Sequence, residues 1–372
     1  MAKVVENAWV GPLEGLVITR YGHNVPCKTI NVFEASHPVP DQAGVEASRK
    51  ILETVSNLTP DDLVICLISG GGSALFVQPP EGVSLEEKQA LTRDLLACGA
   101  PIDKINTVRR HLSLAKGGRL AEACAPAQVV SLIISDVPGD NLENIASGPT
   151  APDPTTCQDA QNILKRYEIA PPPGIAAYLN SPEAETPGPD SPCFRNVTNR
   201  LIATPQACLD AAASQAEVKG VSTAILSDAL EGEARNLARQ QAKLALDLAR
   251  GETDTRFPCV LLSGGEATVT LKGSGKGGPN TEFALALAIA LDGHPGIYAL
   301  ACDTDGVDGS EDNAGAFVTP DTLARAKQKG LAPEKYLAEN DSYAFFKELG
   351  DLITTGPTLT NVNDFRAILI TG

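Results

Sequence analysis

Seven short apolar runs recur along the 372-residue chain, at Gly15 to Thr19, Leu63 to Ser69, Val129 to Ser135, Leu201 to Thr204, Val221 to Leu226, Pro258 to Ser263 and Ile297 to Cys302. Most are followed by Gly or Asp and then by a longer helix-like stretch. Continuous apolar strands of this length suit a sheet covered on both faces, and their alternation with helices specifies crossover units. The expected class is therefore α/β, with a largely parallel, doubly wound sheet. One departure stands at the start. A short helix-like piece ending near Trp9 leads directly into the strand at Leu16, where such a domain usually opens with a strand, a glycine-rich turn and a helix. The first β-unit is read as missing.

The chain is long enough for two domains. The segment Ala170 to Cys193 holds seven prolines and reads as a surface excursion. A boundary is expected after the helix-like run Glu231 to Arg250, so that residues 1–255 form the first domain and 256–372 the second. The formal charge of −16 opposes binding to nucleic acid or anionic lipid and favours small-molecule partners. An anionic substrate then needs a local basic pocket. The nine cysteines include no CxxC pair or metal-ligand spacing, the start carries no secretory pattern and no apolar run is long enough to span a membrane. A reducing cytoplasm fits this usage.

Several segments could carry chemistry. After the strand at Leu63 comes Ser69-Gly70-Gly71-Gly72-Ser73, whose glycines would let backbone amides converge on an anion, or would make a tight turn. It fits neither common nucleotide fingerprint. Arg109, Ser113 and Lys116 fall on one face of a helix expected over Ile102 to Ala115; they could hold phosphate or carboxylate, or form a solvated face. Asp136, with Asp140 shortly after, stands at the carboxyl end of an apparently parallel strand, where open α/β sheets place ligands. Ala146-Ser147-Gly148 follows.

In the second half, Gly264-Gly265-Glu266 between β-rich runs reads as a hairpin. Gly273 to Gly278, with four glycines and Lys276, would suit a mobile loop over phosphates, with Asn280 capping the helix that carries Glu282. Asp303, Asp305 and Asp308 directly follow a strand and could hold a magnesium ion or deprotonate a hydroxyl. An EF-hand is excluded, because Val307 takes a ligand position and a strand precedes the loop. The segment Gly356 to Asp364, including Asn361, is rich in small polar groups.

Taken in order, these strings resemble the glycerate 2-kinase family, whose second domain is called MOFRL and whose members also carry the name hydroxypyruvate reductase. The strings are SHPVPD at 36–41, SGGGSAL at 69–75, INTVRRHLSLAKGGRLA at 105–121, SDVPGD at 135–140, ASGPT at 146–150, EGEAR at 231–235, SGGEATVT at 263–270, DTDGVDG at 303–309 and GPTLTNVND at 356–364. The resemblance implies a Rossmann-like first domain and an α/β MOFRL domain. It further implies ATP-dependent phosphorylation of D-glycerate at its 2-hydroxyl, with Mg²⁺, in a cleft between the two. Asp303, Asp305, Asp308, Lys116 and Arg109 would be catalytic, with Asp303 and Asp305 on the metal. Ser69, Gly70, Gly71, Gly72, Ser73, Asp136, Asp140, Ser147, Gly264, Gly265, Glu266, Gly275, Gly277, Asn280, Glu282 and Asn361 would bind substrate or nucleotide. A homodimer is left open.

Two departures from the family pattern accompany this likeness. Against the family pattern, some fifty amino-terminal residues with a GKA-type turn are read as missing, and Pro279 stands where the family places an arginine. Each removes a cation that phosphoryl transfer would use. NAD(P)H-dependent hydroxypyruvate reduction and a catalytically impaired homologue are the alternatives.

Overall fold

The computed structural model describes residues 1–251 and 256–372. Most of the linker expected at 251–255 lies outside the described residues. Packing divides the chain into two units, Met1–Ile202 and Ala203–Gly372.

The first unit opens with α1 (Ala2–Ala8), β1 (Gly15–Arg20), β2 (Ile30–Ala35), α2 (Gln42–Thr54), β3 (Leu63–Ile68) and the single turn α3 (Gly72–Leu75). Then follow α4 (Leu85–Ala97), α5 (Ile102–His111), α6 (Arg119–Cys124), β4 (Gln128–Ile134), α7 (Cys157–Arg166), α8 (Pro173–Leu179) and β5 (Val197–Ala203). β1 and β2 form a parallel pair, and β3, β4 and β5 form a separate sheet in which β3 and β4 are parallel. Helix α2 starts where the Asp41 carboxylate accepts the Gly44 amide at 3.0 Å. Its Ile51, Leu52 and Val55 pack with Cys66, Ile68, Val129 and Ile133 of the sheet.

A second core of this unit is wholly helical. Leu91 and Leu95 of α4, Ile105 and Val108 of α5, Ile163 of α7 and Ile175 of α8 are buried together. Each such side chain contributes about 1.5–3 kcal/mol on burial, so this layer sets the position of α5. The proline-rich segment is therefore part of the core rather than a surface excursion. Pro173 occupies the first turn of α8, where a missing amide costs nothing, and Ile175 and Leu179 point inward.

The second unit holds α9 (Pro205–Val218), β6 (Ser222–Glu233), α10 (Ala234–Ala249), β7 (Cys259–Thr268), α11 (Pro279–Leu291), β8 (Ile297–Asp303), β9 (Gly315–Val318), α12 (Thr322–Gln328), α13 (Pro333–Ala338), α14 (Ser342–Leu349), β10 (Leu352–Ile353) and β11 (Asp364–Ile370). The sheet order is β10-β9-β8-β11-β7-β6. β6 and α10, which precede the boundary expected at 255, thus pack in this unit.

Alternation along β7 explains the layering. Cys259 and Leu261 face a core with α10 and α11, whereas Val260 and Leu262 face Leu209 and Ala213 of α9. Helix α11 is buried almost throughout, from Asn280 to Ala288.

This sheet corrects the expectation of a largely parallel arrangement. Only the β6–β7 pair is parallel among its described pairings; β11 runs antiparallel to both β7 and β8 in the middle of the sheet, and β8 and β9 are antiparallel. The hairpin expected at Gly264-Gly265 is also corrected. β7 runs straight through both glycines, because β6 bulges towards them: a Cβ on Gly265 would lie 2.2 Å from the Leu230 backbone.

Candidate active site

In the first unit, several sequence-selected residues meet beyond the carboxyl ends of the parallel strands, the usual ligand position of such sheets. The loop after β3 approaches its neighbours so closely that only glycine fits. A Cβ on Gly70 would lie 2.2 Å from Asp136 Oδ2, and one on Gly72 would lie 2.6 Å from the Ala146 Cβ. Gly71 lies against the ring of His37. Burial raises the Asp136 carboxyl above its ordinary range. Burial and then the charge of Arg20 lower the His37 imidazole.

Ser73 joins this loop to the basic residues. Its carbonyl accepts from Lys116 Nζ at 2.8 Å and from Arg109 Nη2 at 3.4 Å, and its hydroxyl meets the Ser147 hydroxyl at 2.7 Å. Lys116 also donates to the Phe76 carbonyl at 3.0 Å and is buried. The helix expected to carry both cations ends at His111, so Lys116 rides on the following turn instead. That turn is held by Gly117 and Gly118, whose amides donate to the Ser147 and Gly148 carbonyls at 3.0 and 2.7 Å. Ala146 and Ser147 adopt left-handed backbone, with φ of 52° and 62°, a strain typical of functional loops. Asp140 is likewise left-handed, and its Oδ1 is buried without a hydrogen-bond partner.

A buried ion pair anchors the same helix. Arg110 Nε donates to Asp153 Oδ2 at 2.8 Å, and Thr155 and Thr186 donate to the same carboxylate. Nearby, His111, Cys157 and Glu185 cluster tightly enough to suggest a metal. Both ring nitrogens of His111 are already engaged, by the Ala184 carbonyl and the Thr155 hydroxyl, which makes the cluster structural.

In the second unit, Asp303 ends β8 directly opposite Asp364 of β11. Asp303 Oδ1 accepts the Asp305 amide at 2.8 Å, and Asp305 Oδ1 accepts that of Val307 at 2.8 Å. Burial, reinforced by the charges of Asp305 and Asp364 against the pull of the Asp305 amide, pushes the Asp303 carboxyl up to about 8. Asp364 accepts from the Ala267 amide at 2.9 Å, from Asn280 Nδ2 at 2.6 Å and from Arg366. Asn280 Oδ1 is left buried and without a partner.

Asp308 sits differently from its two neighbours. Its carboxylate accepts the amides of Asn280 and Thr281 and the Thr281 hydroxyl, all at 2.8 Å, and so closes the amino terminus of α11. Asn280, expected as the cap, lies inside that helix, and Gly278 takes the cap position. Glu282 is buried between Arg235 Nε at 2.8 Å and Asn340 Nδ2 at 2.9 Å.

The glycine loop at 273–278 is tied down rather than open. Asn340 Oδ1 accepts the amides of Lys272 and Gly273, the Glu339 carbonyl accepts that of Gly275, and Asp341 Oδ1 accepts that of Lys276. A Cβ on Gly277 would lie 2.2 Å from the Ser342 hydroxyl. Asn361 Oδ1 accepts the Asn363 amide at 2.7 Å, Gly264 and Gly265 lie inside β7, and Ser69 and Glu266 are exposed. Sequence reasoning missed the placements of Arg235, Asp364 and Arg366. The first two lie within quoted strings, but an ion pair 47 residues apart leaves no local signal.

Comparison with known proteins bears on the same residues. Residues 1–180 match the family described as a domain of unknown function, DUF4147, and residues 259–364 match the MOFRL family. A putative hydroxypyruvate reductase of Agrobacterium vitis is 52% identical, with all of this chain and 84% of that protein covered. The D-glycerate 2-kinase of Thermotoga maritima is 45% identical over 96% of this chain and 84% of its own length. A crystal structure of glycerate kinase from Thermotoga maritima superposes with a TM-score of 0.90 at 44% identity, covering 96% of this chain and 85% of that one. Fold and likeness define the class as a two-unit α/β kinase. The chain belongs to the glycerate 2-kinase family.

Proposed function

We propose that the protein transfers the γ-phosphoryl group of ATP to the 2-hydroxyl of D-glycerate, giving 2-phosphoglycerate, in the cytoplasm. The observation that carries this reading is the convergence of Arg109 and Lys116 on the Ser73 carbonyl beside the Gly70–Gly72 loop. Among the described residues neither cation has a carboxylate partner, although the chain is acidic. Phosphoryl transfer depends mainly on such charge neutralisation and positioning.

Asp303 is the group best suited to take the proton of the hydroxyl, because a carboxyl near 8 is partly ionised at neutral pH and still basic. Asp308 positions α11 rather than reacting, since both its oxygens are engaged. A magnesium ion takes hard oxygen ligands, and the residues fit it: Asp305 would supply a carboxylate and the buried, unpartnered Asn280 Oδ1 an amide oxygen on the Asp364 side, which leaves Asp303 as the base. When bound, the ion would neutralise charge on the transferring phosphate. Arg109 and Lys116 orient the anionic groups, and the close-packed glycines keep the Asp136 carboxylate against the loop.

A coupled assay tests the reading. Glycerate-dependent release of ADP is the expected result; hydroxypyruvate-dependent oxidation of NADH, without ADP release, would replace the kinase by the reductase named in the Agrobacterium relative.

A further inference from the structure

Lys88 lies on α4, outside every quoted string, and its ammonium group turns inward to donate to the Leu112 carbonyl at the carboxyl end of α5. Three residues before that carbonyl stands Arg109, and four residues after it Lys116. These two converge on the Ser73 carbonyl, as described above. All three cationic groups are therefore gathered around one short stretch of chain, residues 109–116.

What they lack is an anion. Among the described residues, none of the three makes an ion pair, and their only hydrogen-bond partners are the main-chain carbonyls of Leu112, Ser73 and Phe76. The contrast with Arg110, one residue from Arg109, is sharp: its guanidinium is fully buried yet paired with Asp153. Lys116 is buried and Lys88 and Arg109 are half-buried, and cations withdrawn from water to this degree are normally paired. Capping the end of α5 accounts for one of the three Lys88 donors and leaves the rest unused. Burial, with the Arg109 charge, brings the Lys88 ammonium down to about 7, and burial with both neighbours lowers Lys116 well below its ordinary value. The three groups thus sense one another.

We propose that Lys88 is a third binding cation of the site formed by Arg109 and Lys116, and that the missing partner of the cluster is an anionic oxygen group of the substrate, either carboxylate or phosphate. This rests on the kinase reading for the identity of the substrate, but not for the presence of an anion site. A multiply charged oxyanion would supply the acceptors that these donors lack and restore local neutrality. Lys88 would act on ligand affinity more than on turnover, because it neutralises charge present in both ground and transition states.

The test compares the full-length wild type with Lys88→Gln, which keeps a donor for the Leu112 carbonyl but loses the charge, and with Lys88→Arg, which keeps both. The readouts are KM and kcat for D-glycerate and for ATP, and the rise in melting temperature caused by inorganic phosphate. The expected result is a KM increase of about tenfold or more in Lys88→Gln for one substrate, with kcat little changed, and substantial recovery in Lys88→Arg. The substrate whose KM moves identifies the group: glycerate for the carboxylate, ATP for the phosphate. Phosphate-induced stabilisation should weaken in parallel. A folded Lys88→Gln variant with both KM values and the phosphate response unchanged overturns the proposal. Should Lys88→Gln not fold, Lys88→Met and Lys88→Arg are compared by the phosphate response alone, and an equal response in the two overturns it. If the wild type releases no ADP with glycerate, the kinase reading fails, and the phosphate comparison still decides whether Lys88 serves an anion site.

Discussion

Gly70 and Asp136 stand so close that any side chain on the glycine would collide with the carboxylate, its Cβ falling 2.2 Å from Oδ2. Nothing flexible separates them, since Gly70 follows β3 and Asp136 follows the adjacent parallel strand β4. Gly70→Ala must therefore push Asp136 or the loop aside. We expect kcat/KM for glycerate to fall by about two orders of magnitude, in line with the cost of displacing a positioned group by an ångström. Near-wild-type kcat/KM in a correctly folded variant would separate Asp136 from the reaction.

Asp153 offers a test of the scaffold beneath the cations. Burial opposes its charge, but Arg110 and the hydrogen bonds from Thr155 prevail and hold its carboxyl below the ordinary range. With the folded value depressed, the contribution is complete above the unfolded value of about 3.9 and is lost as pH falls through the folded one. Asp153→Asn leaves the buried Arg110 uncompensated and should destabilise the protein by about 3–5 kcal/mol near neutral pH. Denaturant melts from neutral to strongly acidic pH check the sign: the gap between wild type and variant should close only at the acid end.

How far the sequence foretold this site depends on the range of each signal. The seven apolar runs overlap strands because apolar β-rich stretches are a local signal; β7 is buried along most of its length, whereas β5 leaves Leu201 and Ile202 exposed. β11 was not foretold as the antiparallel centre of the second sheet, since strand order depends on which edges remain after the helices dock. Gly264 and Gly265 misled for the same reason: a turn and a close approach to a neighbouring bulge ask for the same residue, and only the neighbour distinguishes them. Helical spacing puts Arg109 and Lys116 on one face, and they do converge, but through a turn built on Ser147. Lys88 carries no mark in sequence, because a lysine on a helix is ordinarily solvated and only the inward turn of its ammonium group to the Leu112 carbonyl sets it apart.

Asp303 links stability to activity. Its raised carboxyl means that the folded, metal-free protein keeps a proton between the ordinary carboxylate range and about 8 that the unfolded chain has already lost. The native state binds more protons in that window, so this residue makes stability fall as pH rises through it, and the effect is level above about 8. Asp303→Asn should remove the slope and raise stability at alkaline pH in the presence of a chelator, while lowering kcat by about 10²–10⁴. Loss of activity together with gain of stability is the signature of a strained functional group. A variant that loses stability at alkaline pH, or keeps its kcat, contradicts the assignment of Asp303 as the base.

Pro279 provides the most direct trial of whether a missing cation limits the reaction. It occupies the first turn of α11, directly after Gly278, where the helix has no acceptor for a backbone amide and proline is well tolerated. The resemblance places an arginine there. Pro279→Arg should leave the melting temperature within about 3 °C, because a first-turn exchange removes no buried contact of the core. If the position faces transferring phosphate, kcat should rise by about tenfold or more, well inside what a guanidinium contributes to phosphoryl transfer elsewhere. Pro279→Lys should give a smaller gain, since a point charge lacks the planar fork that matches phosphate oxygens. Equal kcat in all three proteins would assign the neutralising work to the Lys88, Arg109 and Lys116 cluster alone.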